Sequence, residues 1–420
     1  MTRPTQLIIC LWFFAVSQLV SIFADRLKQF SLVGMVGLVN PGSSAELLRL
    51  GLVMHLPMLV AAPLFGALLD RWSKSVTIMG VNVARALLIA AIPIAFAWTA
   101  SIYAIYAVML FVAVADLLFS AARSSLIPEL VPTDRLLQVN AVFWGLGVVG
   151  TLAGFALGGW LFDYRSWQSS FHVNAVGYAL AAVLMVPVLF LHRSPAPGRD
   201  LPHPEKGRRP PLSAGVREIA VAIGDGLHLI RENRHVAVSL GTQTALFAFG
   251  GVLYVIAISR VQSVFPPGRT IYLSVVMTSL LAGLLMSAWL AGHYRHWLKP
   301  ERTIAVATLT CGVCLVGIAK NESVVTLSIW AGLIGFSTSP VFVFTEALLQ
   351  THTPQPYRGR IFSTREILIK AAFLSSAVLS TVANAVFSKS TILIAVGLVL
   401  AFAGVLLERT KWLELSDNDG

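Results

Sequence analysis

The sequence predicts an all-α, polytopic membrane protein of twelve transmembrane helices. Its 420 residues are 56% hydrophobic and only 12% charged, whereas soluble domains carry roughly 25% charged residues. So few charges do not cover a surface that faces water, but a surface that faces lipid needs almost none. The apolar residues also fall into runs of about 20, which is the length that crosses a bilayer as a helix.

The apolar runs give the positions of the spans. They continue to the end of the chain, so the first run fits a membrane helix better than a cleaved signal peptide. The sequence DRLK interrupts that run at residues 25–28, which leaves two alternatives: one long helix, or a shorter helix followed by a re-entrant segment. We expect spans at 7–38, 45–69, 75–97, 102–123, 136–162, 170–191, 236–261, 270–292, 302–319, 323–349, 361–387 and 390–408.

The basic residues predict the orientation. With a cytoplasmic N-terminus, the inside segments hold about 21 of the 31 Lys and Arg residues, and the outside segments hold about five. We therefore expect an inner-membrane protein with both termini in the cytoplasm. The net charge of +11 is accounted for by these loops, and no nucleic-acid partner is expected.

The division of the chain is that of a duplicated transporter. Residues 1–191 form the first six spans, 192–235 form a linker, and 236–420 form the last six spans. The linker begins with a stretch rich in Pro and charge, and its second part predicts an amphipathic helix on the inner membrane surface. In such proteins the substrate path lies between the two halves.

The loop between the second and third spans reads GALLDRWSKSVTIMG. It resembles the signature loop of the major facilitator superfamily, although Ser73 stands where glycine is usual. The matching residues are Gly66, Asp70, Arg71 and Lys74.

The resemblance implies a cytoplasmic gate. Asp70 is placed to pair with Arg71, Lys74 or Arg85, and in the family this loop latches the two halves on the cytoplasmic side. Asp116 and Arg123, which lie towards this loop in the fourth span, are expected to join the same network with Asp70 and Arg85. The alternative is an ordinary basic loop that serves only orientation.

The fifth span carries a glycine motif that indicates one branch of this superfamily. Gly150, Gly154 and Gly158 recur every four residues, so they share a face that allows close helix packing. With Gly159 they resemble the antiporter motif of exporters, although Phe155 replaces its proline. The loops FSAARSSLIPELVPTDRLLQVNA and YRGRIFS are also similar to the drug–proton antiporter branch that includes macrolide and enterobactin exporters. Ordinary helix packing remains the alternative.

Charged residues inside the spans are candidates for the transport site, because ionisable groups at this depth usually face a cavity or a partner. We select Asp25, Arg26 and Asp116 as candidates for proton coupling or for lining the cavity. Burial favours a protonated Asp25, whereas Arg26 or Lys28 nearby favours a charged one. The two alternatives are a proton-coupling carboxylate and a structural ion pair.

These features favour a secondary transporter over an enzyme. There is no phosphate-binding loop, so ATP-driven transport is not supported, and neither a cofactor nor a metal site is expected. Cys311 and Cys314 lie inside an apolar run and are interpreted as packing residues.

The resemblance implies proton-coupled export of a small amphipathic, drug-like or siderophore-like compound by a monomer in the lipid bilayer. The alternatives are another cargo, such as a lysophospholipid or a metal ion, and a receptor or assembly factor that keeps the fold.

Overall fold

The computed structural model describes residues 3–69, 72–131, 136–191, 233–294, 300–353 and 358–410. Every regular element in these ranges is a helix, and they contain no strand. The predicted all-α class is therefore confirmed. The expected linker with its amphipathic helix, residues 192–235, lies outside the described residues except for its last three positions.

The helices before residue 192 form six successive spans, because α6 and α7 are two parts of one. The break between α6 and α7 precedes Pro187, whose ring nitrogen cannot donate a helical hydrogen bond. The described helices are α1 (Arg3–Val39), α2 (Ser44–Leu69), α3 (Lys74–Thr99), α4 (Ile102–Leu130), α5 (Leu136–Tyr164), α6 (Trp167–Leu184) and α7 (Val186–Leu191).

The helices after residue 232 also form six spans. A π-helical segment, Leu253–Ala257, joins the first two helices of this part into one span. It carries Tyr254, whose ring centroid lies 5.7 Å from that of Phe373. The described helices are α8 (Arg234–Val252), α9 (Ile258–Val264), α10 (Ile271–Tyr294), α11 (Pro300–Lys320), α12 (Val324–His352), α13 (Arg358–Ala383) and α14 (Lys389–Thr410).

The spans are long, apolar and covered with exposed hydrophobic side chains. Among the described residues, 11 stretches are long and apolar enough to cross a membrane, and the 26 residues of α2 correspond to the remaining predicted span. Large apolar side chains such as Trp98, Phe190 and Val386 are exposed. A surface of this kind suits lipid rather than water, so the chain is a multi-pass membrane protein.

The first helix is continuous through the charged sequence at residues 25–28. α1 runs without a break for 37 residues, which decides between the two alternatives that the sequence left open. A helix can hold charged side chains at this depth because its own backbone groups are already hydrogen-bonded.

The chain divides into two compact units. Of the described residues, 3–35 and 50–191 belong to the first unit, and 36–49 and 233–410 belong to the second. The sequence-based division had assigned all of residues 1–191 to the first half. The segment 36–49 belongs to the second unit because of polar contacts made within that unit: Lys389 Nζ donates to the Gly42 carbonyl at 2.6 Å, and Asn384 donates to Ser44 Oγ at 2.9 Å.

Candidate functional site

A polar stripe runs along one face of α1, a helix composed mostly of apolar residues. Ser17, Ser21, Asp25 and Lys28 follow one another at intervals of three or four residues and so share that face. The serines are fully buried, and the side chain of Lys28 is 1% exposed. Buried polar groups require partners, and here α3, α4 and α6 supply them.

The groups that meet this stripe lie at a common depth. Asp25, Arg85, Asp116 and Tyr178 each lie about 11 to 14 residues from one end of their helix, which corresponds to about 17–21 Å. Because a hydrocarbon core is about 30 Å thick, these residues lie near the middle of the membrane. The helix ends in question border the turns at 40–43, 100–101 and 165–166.

Lys28 bridges two carboxylates. Its Nζ lies 3.1 Å from Asp25 Oδ1 and 2.9 Å from Asp116 Oδ2. The same ammonium group lies 5.7 Å from the centroid of the Tyr178 ring. A lysine that is 1% exposed needs such partners, because a buried charge without an opposite charge is strongly destabilising.

Arg85 is the second buried cation. Its Nη2 lies 2.6 Å from Asp116 Oδ1, and its guanidinium carbon lies 4.2 Å from the centroid of the Phe119 ring. Its Nη1 also approaches Asn82 Oδ1 at 3.5 Å. The charged cluster, defined as Asp25, Lys28, Arg85 and Asp116, therefore contains two cations and two anions.

Two side chains of α6 complete the surroundings of Asp25. The Tyr178 hydroxyl donates a hydrogen bond to Asp25 Oδ1 at 2.6 Å. Asn174 Nδ2 donates to the carbonyl of Ala24 at 2.7 Å, which fixes α6 against this part of α1. The tyrosine is fully buried, so its hydroxyl needs the carboxylate as its acceptor.

The anions of the charged cluster are accessible, whereas its cations are not. Asp25 is 25% exposed and Asp116 is 36% exposed, but Lys28 and Arg85 are each 1% exposed. Carboxylates that remain exposed at this depth must face a polar space, because contact with lipid is costly. The first unit therefore presents two accessible carboxylates, and each of them forms an ion pair with a buried cation.

The structure brings Asp25 and Asp116 together but keeps Arg26 apart from them. The partners of Arg26 are Thr151 on α5 and Gln29 on α1. Arg123 is partly buried on α4, about two turns along the helix from Asp116.

Among the predicted gate residues, Lys74 and Arg85 have different partners in the described structure. Asp70 and Arg71 lie outside the described residues, whereas Gly66 belongs to α2. Lys74 pairs with Glu129 at 3.2 Å. Arg85, one of the three basic residues predicted as possible partners of Asp70, pairs with Asp116 three turns along α3 from Lys74. A pairing of Arg85 with Asp70 lies outside the described residues.

The glycine motif of α5 packs against α1. A Cβ on Gly150 would lie 3.1 Å from the Leu19 carbonyl, and one on Gly154 would lie 2.6 Å from Arg26 Cβ. A Cβ on Gly158 would lie 2.9 Å from the Phe30 side chain. These glycines therefore allow two helix backbones to approach closely, and Gly159 beside them is also buried.

The second unit holds a separate polar cluster. Arg365 Nη2 lies 3.0 Å from Glu346 Oε2, and its Nε donates to Gln243 Oε1. Gln243 in turn donates to Glu346 Oε2 at 3.3 Å. α8, α12 and α13 supply one residue each, so this cluster joins three helices of that unit.

The described residues contain no group of three or more His, Cys, Asp or Glu side chains that would suit a metal ion. Cys311 and Cys314 are free and buried within α11. Burial of the two thiols fits the packing role that the apolar run predicts.

Sequence reasoning gave the carboxylates of the charged cluster but not its arrangement. Lys28 entered only as a neighbour of Asp25, and Tyr178 was not among the selected residues. The polar stripe at three- and four-residue intervals on α1 was the available signal for a buried polar face. That Lys28 also reaches Asp116, 88 residues away in sequence, required the fold.

Comparison with known proteins assigns the chain to a family. The profile of the Major Facilitator Superfamily matches residues 19–320, which is more than two thirds of the chain. The chain belongs to the major facilitator superfamily. It is therefore a multi-pass membrane transporter of that family, and the resemblance predicted from the signature loop is confirmed.

Curated members of the superfamily are similar along most of the chain. An uncharacterized MFS-type transporter of Bacillus subtilis, YfiS, is 23% identical over 96% of this chain and 95% of its own length. Macrolide efflux protein A of Enterococcus faecalis is 20% identical, covering 76% and 95%. The multidrug efflux pump Tap of Mycolicibacterium fortuitum is 24% identical, covering 80% of each chain.

Solved structures share the fold. The nucleoside transporter NupG superposes with a TM-score of 0.63 at 13% identity, covering 98% of each chain. The crystal structure of tetrameric PepTSo2 gives a TM-score of 0.67 at 12% identity, covering 96% of this chain and 98% of that one. At this identity the likeness concerns the fold alone, and it confirms the predicted major facilitator fold.

Proposed function

We propose that this major facilitator protein exports a small amphipathic compound in exchange for protons, by alternating access. It would act as a monomer in the inner membrane, with both termini in the cytoplasm. The observation that carries the proposal is the charged cluster of the first unit, in which two accessible carboxylates are held by two buried cations.

The charged cluster suits proton coupling because its charges balance only when both carboxylates are ionised. A proton that reaches Asp25 removes one anion and releases Lys28 from one of its two partners. Lys28 then keeps only Asp116, at 2.9 Å, and the cluster has gained one positive charge. A buried net charge is unfavourable, so protonation of Asp25 would favour a conformation in which these groups are rearranged.

Two features support export as the direction. Similar proteins include macrolide efflux protein A and the multidrug efflux pump Tap. The glycine motif of α5 also resembles that of exporters, and its face packs closely on α1, which carries the carboxylate. The signature loop, with Gly66, Asp70, Arg71 and Lys74, would act as the cytoplasmic gate.

The coupling is tested with Asp25→Asn in proteoliposomes. Asparagine keeps an oxygen that accepts from Tyr178 but cannot take up a proton. pH-driven transport of whichever fluorescent dye the wild type moves fastest, among the anionic dansylglycine, the neutral dansylglycinamide and the cationic dansylcadaverine, should therefore fall to the rate of empty liposomes. Binding of the dye should persist. Asp163→Asn near the end of α5 is the matched control and should transport normally. Proton coupling that survives in Asp25→Asn would remove Asp25 from the mechanism and leave it a structural ion pair.

The topology is tested by labelling introduced cysteines. The native thiols of Cys10, Cys311 and Cys314 are free but buried, so they should react little with the reagent. A cysteine introduced by Ser323→Cys, in the turn between α11 and α12, should react with a membrane-impermeant maleimide in intact cells. A cysteine added after Gly420 should react only after the cells are permeabilised. The opposite labelling pattern would reverse the proposed orientation.

A further inference from the structure

Arg26 is a charged residue at membrane depth whose hydrogen-bond partners in the described structure are both neutral. Its Nε donates to Thr151 Oγ1 at 3.2 Å, and its Nη1 donates to Gln29 Oε1 at 2.9 Å. The adjacent carboxylate, Asp25, is instead held by Lys28 and Tyr178. In the described part of the chain, Arg26 therefore has no acidic partner.

The position of Arg26 is set by close helix packing. Gly154 faces it so closely that a Cβ there would lie 2.6 Å from Arg26 Cβ. Thr151 Oγ1 donates its own proton to the Gly147 carbonyl at 2.8 Å, so towards Arg26 it acts only as an acceptor. The guanidinium group is thus oriented by two acceptors before any ligand binds.

Three of the five N–H groups of this guanidinium have no partner among the described residues, since a guanidinium carries five donors and two are used. Arg26, Gln29 and Thr151 are all partly exposed. A guanidinium with free donors matches the two oxygens of a carboxylate, sulfonate or phosphate. The site therefore has the geometry of an anion receptor.

The balance of charged side chains inside the first unit also favours the binding of an anion. The charged cluster is neutral, with Lys28 and Arg85 balancing its two carboxylates. Arg26 is a further cation well inside a described span of this unit, whereas Arg123 lies four residues from the end of the span Ile102–Ile127. Among the described residues, the interior of the unit thus carries an excess of basic over acidic side chains, and an excess of this kind attracts an anion.

We propose that Arg26 binds an anionic group of the transported compound, so that the cargo is an amphipathic anion. This inference rests on the proposed transport function and narrows its substrate class. The carboxylate, sulfonate or phosphate would occupy the free donors of Arg26, and the apolar part of the compound would lie along the partly exposed apolar surface beside it. Arg26 is then a substrate-binding residue, separate from the charged cluster.

Three dansyl compounds that share a fluorophore test the proposal: dansylglycine is an anion, dansylglycinamide is neutral and dansylcadaverine is a cation. Fluorescence titration of the purified full-length protein should show dansylglycine bound about 10- to 100-fold more tightly than the amide, because hydrogen bonds to charged groups have this strength. Arg26→Gln should abolish that difference. Arg165→Gln, in the exposed turn after α5, is the matched control and should preserve it.

A second variant retains Arg26 but pairs its guanidinium group with a new carboxylate on the same helix. Gln29→Glu is nearly isosteric and places a carboxylate where Oε1 now accepts from Arg26 at 2.9 Å. It should also abolish the preference for dansylglycine, and the internal ion pair favours folding. If Arg26→Gln fails to fold, the titration of Gln29→Glu alone tests the proposal.

The outcomes separate this inference from the proposed function. Equal affinities of the wild type for the three compounds, or a preference for dansylglycine that survives in both variants, would overturn the role of Arg26. Transport of dansylcadaverine alone under a pH gradient would do the same while leaving the proposed function intact. Binding of dansylglycine that depends on Arg26, without any pH-driven flux, would support the site and refute proton coupling.

Discussion

Replacement of Lys28 by methionine tests the charged cluster most directly. The lysine is 1% exposed and lies within 3.1 Å of both Asp25 and Asp116. Methionine fills a similar volume but leaves the two carboxylates with Arg85 as their only cation in the cluster. Removing one partner of a buried ion pair costs about 3–5 kcal/mol. Because the carboxylates are partly exposed and water offsets part of that cost, we expect about 3 kcal/mol.

A double variant separates the charge effect from the loss of packing. Lys28→Met with Asp25→Asn leaves one cation and one anion, Arg85 and Asp116, which are 2.6 Å apart. The remaining cluster is neutral, so most of the lost stability should return. We expect the free energies of the two single changes to be non-additive by about 2 kcal/mol, within the range seen for contacting residues.

The measurement is equilibrium unfolding of purified protein in mixed micelles, followed by tryptophan fluorescence as the fraction of denaturing detergent is raised. Lys320→Met, at the exposed end of α11, is the matched control and should change the free energy of unfolding by less than about 0.5 kcal/mol. Strictly additive single and double variants would show that Lys28 and Asp25 are not energetically coupled, and the proposed role of the cluster would then be refuted.

Two further changes test packing and the second unit. Gly154→Leu should destabilise the protein by about 1–3 kcal/mol, because a Cβ at this position would lie 2.6 Å from Arg26 Cβ. Gly145→Ala is the control and should be tolerated, because a Cβ there would meet no neighbouring atom within 4 Å. Equal stability of the two variants would contradict the close approach of α5 to α1. Arg365→Gln should cost about 1–3 kcal/mol, since it leaves the partly exposed Glu346 carboxylate without its cation. Arg302→Gln, whose side chain is 76% exposed, should cost less than about 1 kcal/mol. The same unfolding assay distinguishes the two variants.

Much of the candidate site could be named from the sequence, but its pairings could not. Asp25 and Asp116 stood out because carboxylates are rare in apolar spans, and Gly150, Gly154 and Gly158 stood out by their spacing. Sequence spacing relates residues on one helix and says little about which faces of different helices meet. Lys28 illustrates this, since in the sequence it was noted only as a neighbour of Asp25 and its side chain also reaches Asp116 on α4.

The second unit shows the same limit. Gln243, Glu346 and Arg365 are separated by about a hundred residues or by a turn between helices, and nothing in their local sequence indicates that they meet. The structure joins them through contacts of 3.0–3.3 Å. Likewise, the segment 36–49 belongs to the second unit because Lys389 reaches the Gly42 carbonyl, which no pattern in α1 or α2 anticipates.

By itself the sequence determined the class of the protein, the number and positions of its spans, and the residues that are costly to bury. These follow from local composition, because each membrane helix must satisfy its own backbone and present an apolar surface to lipid. Only the tertiary structure decided that α1 continues through its charged segment, that Lys28 serves two carboxylates and that Arg26 keeps neutral partners. Those facts depend on which buried groups approach within hydrogen-bonding distance, and that is set by the packing of helices that are distant in sequence.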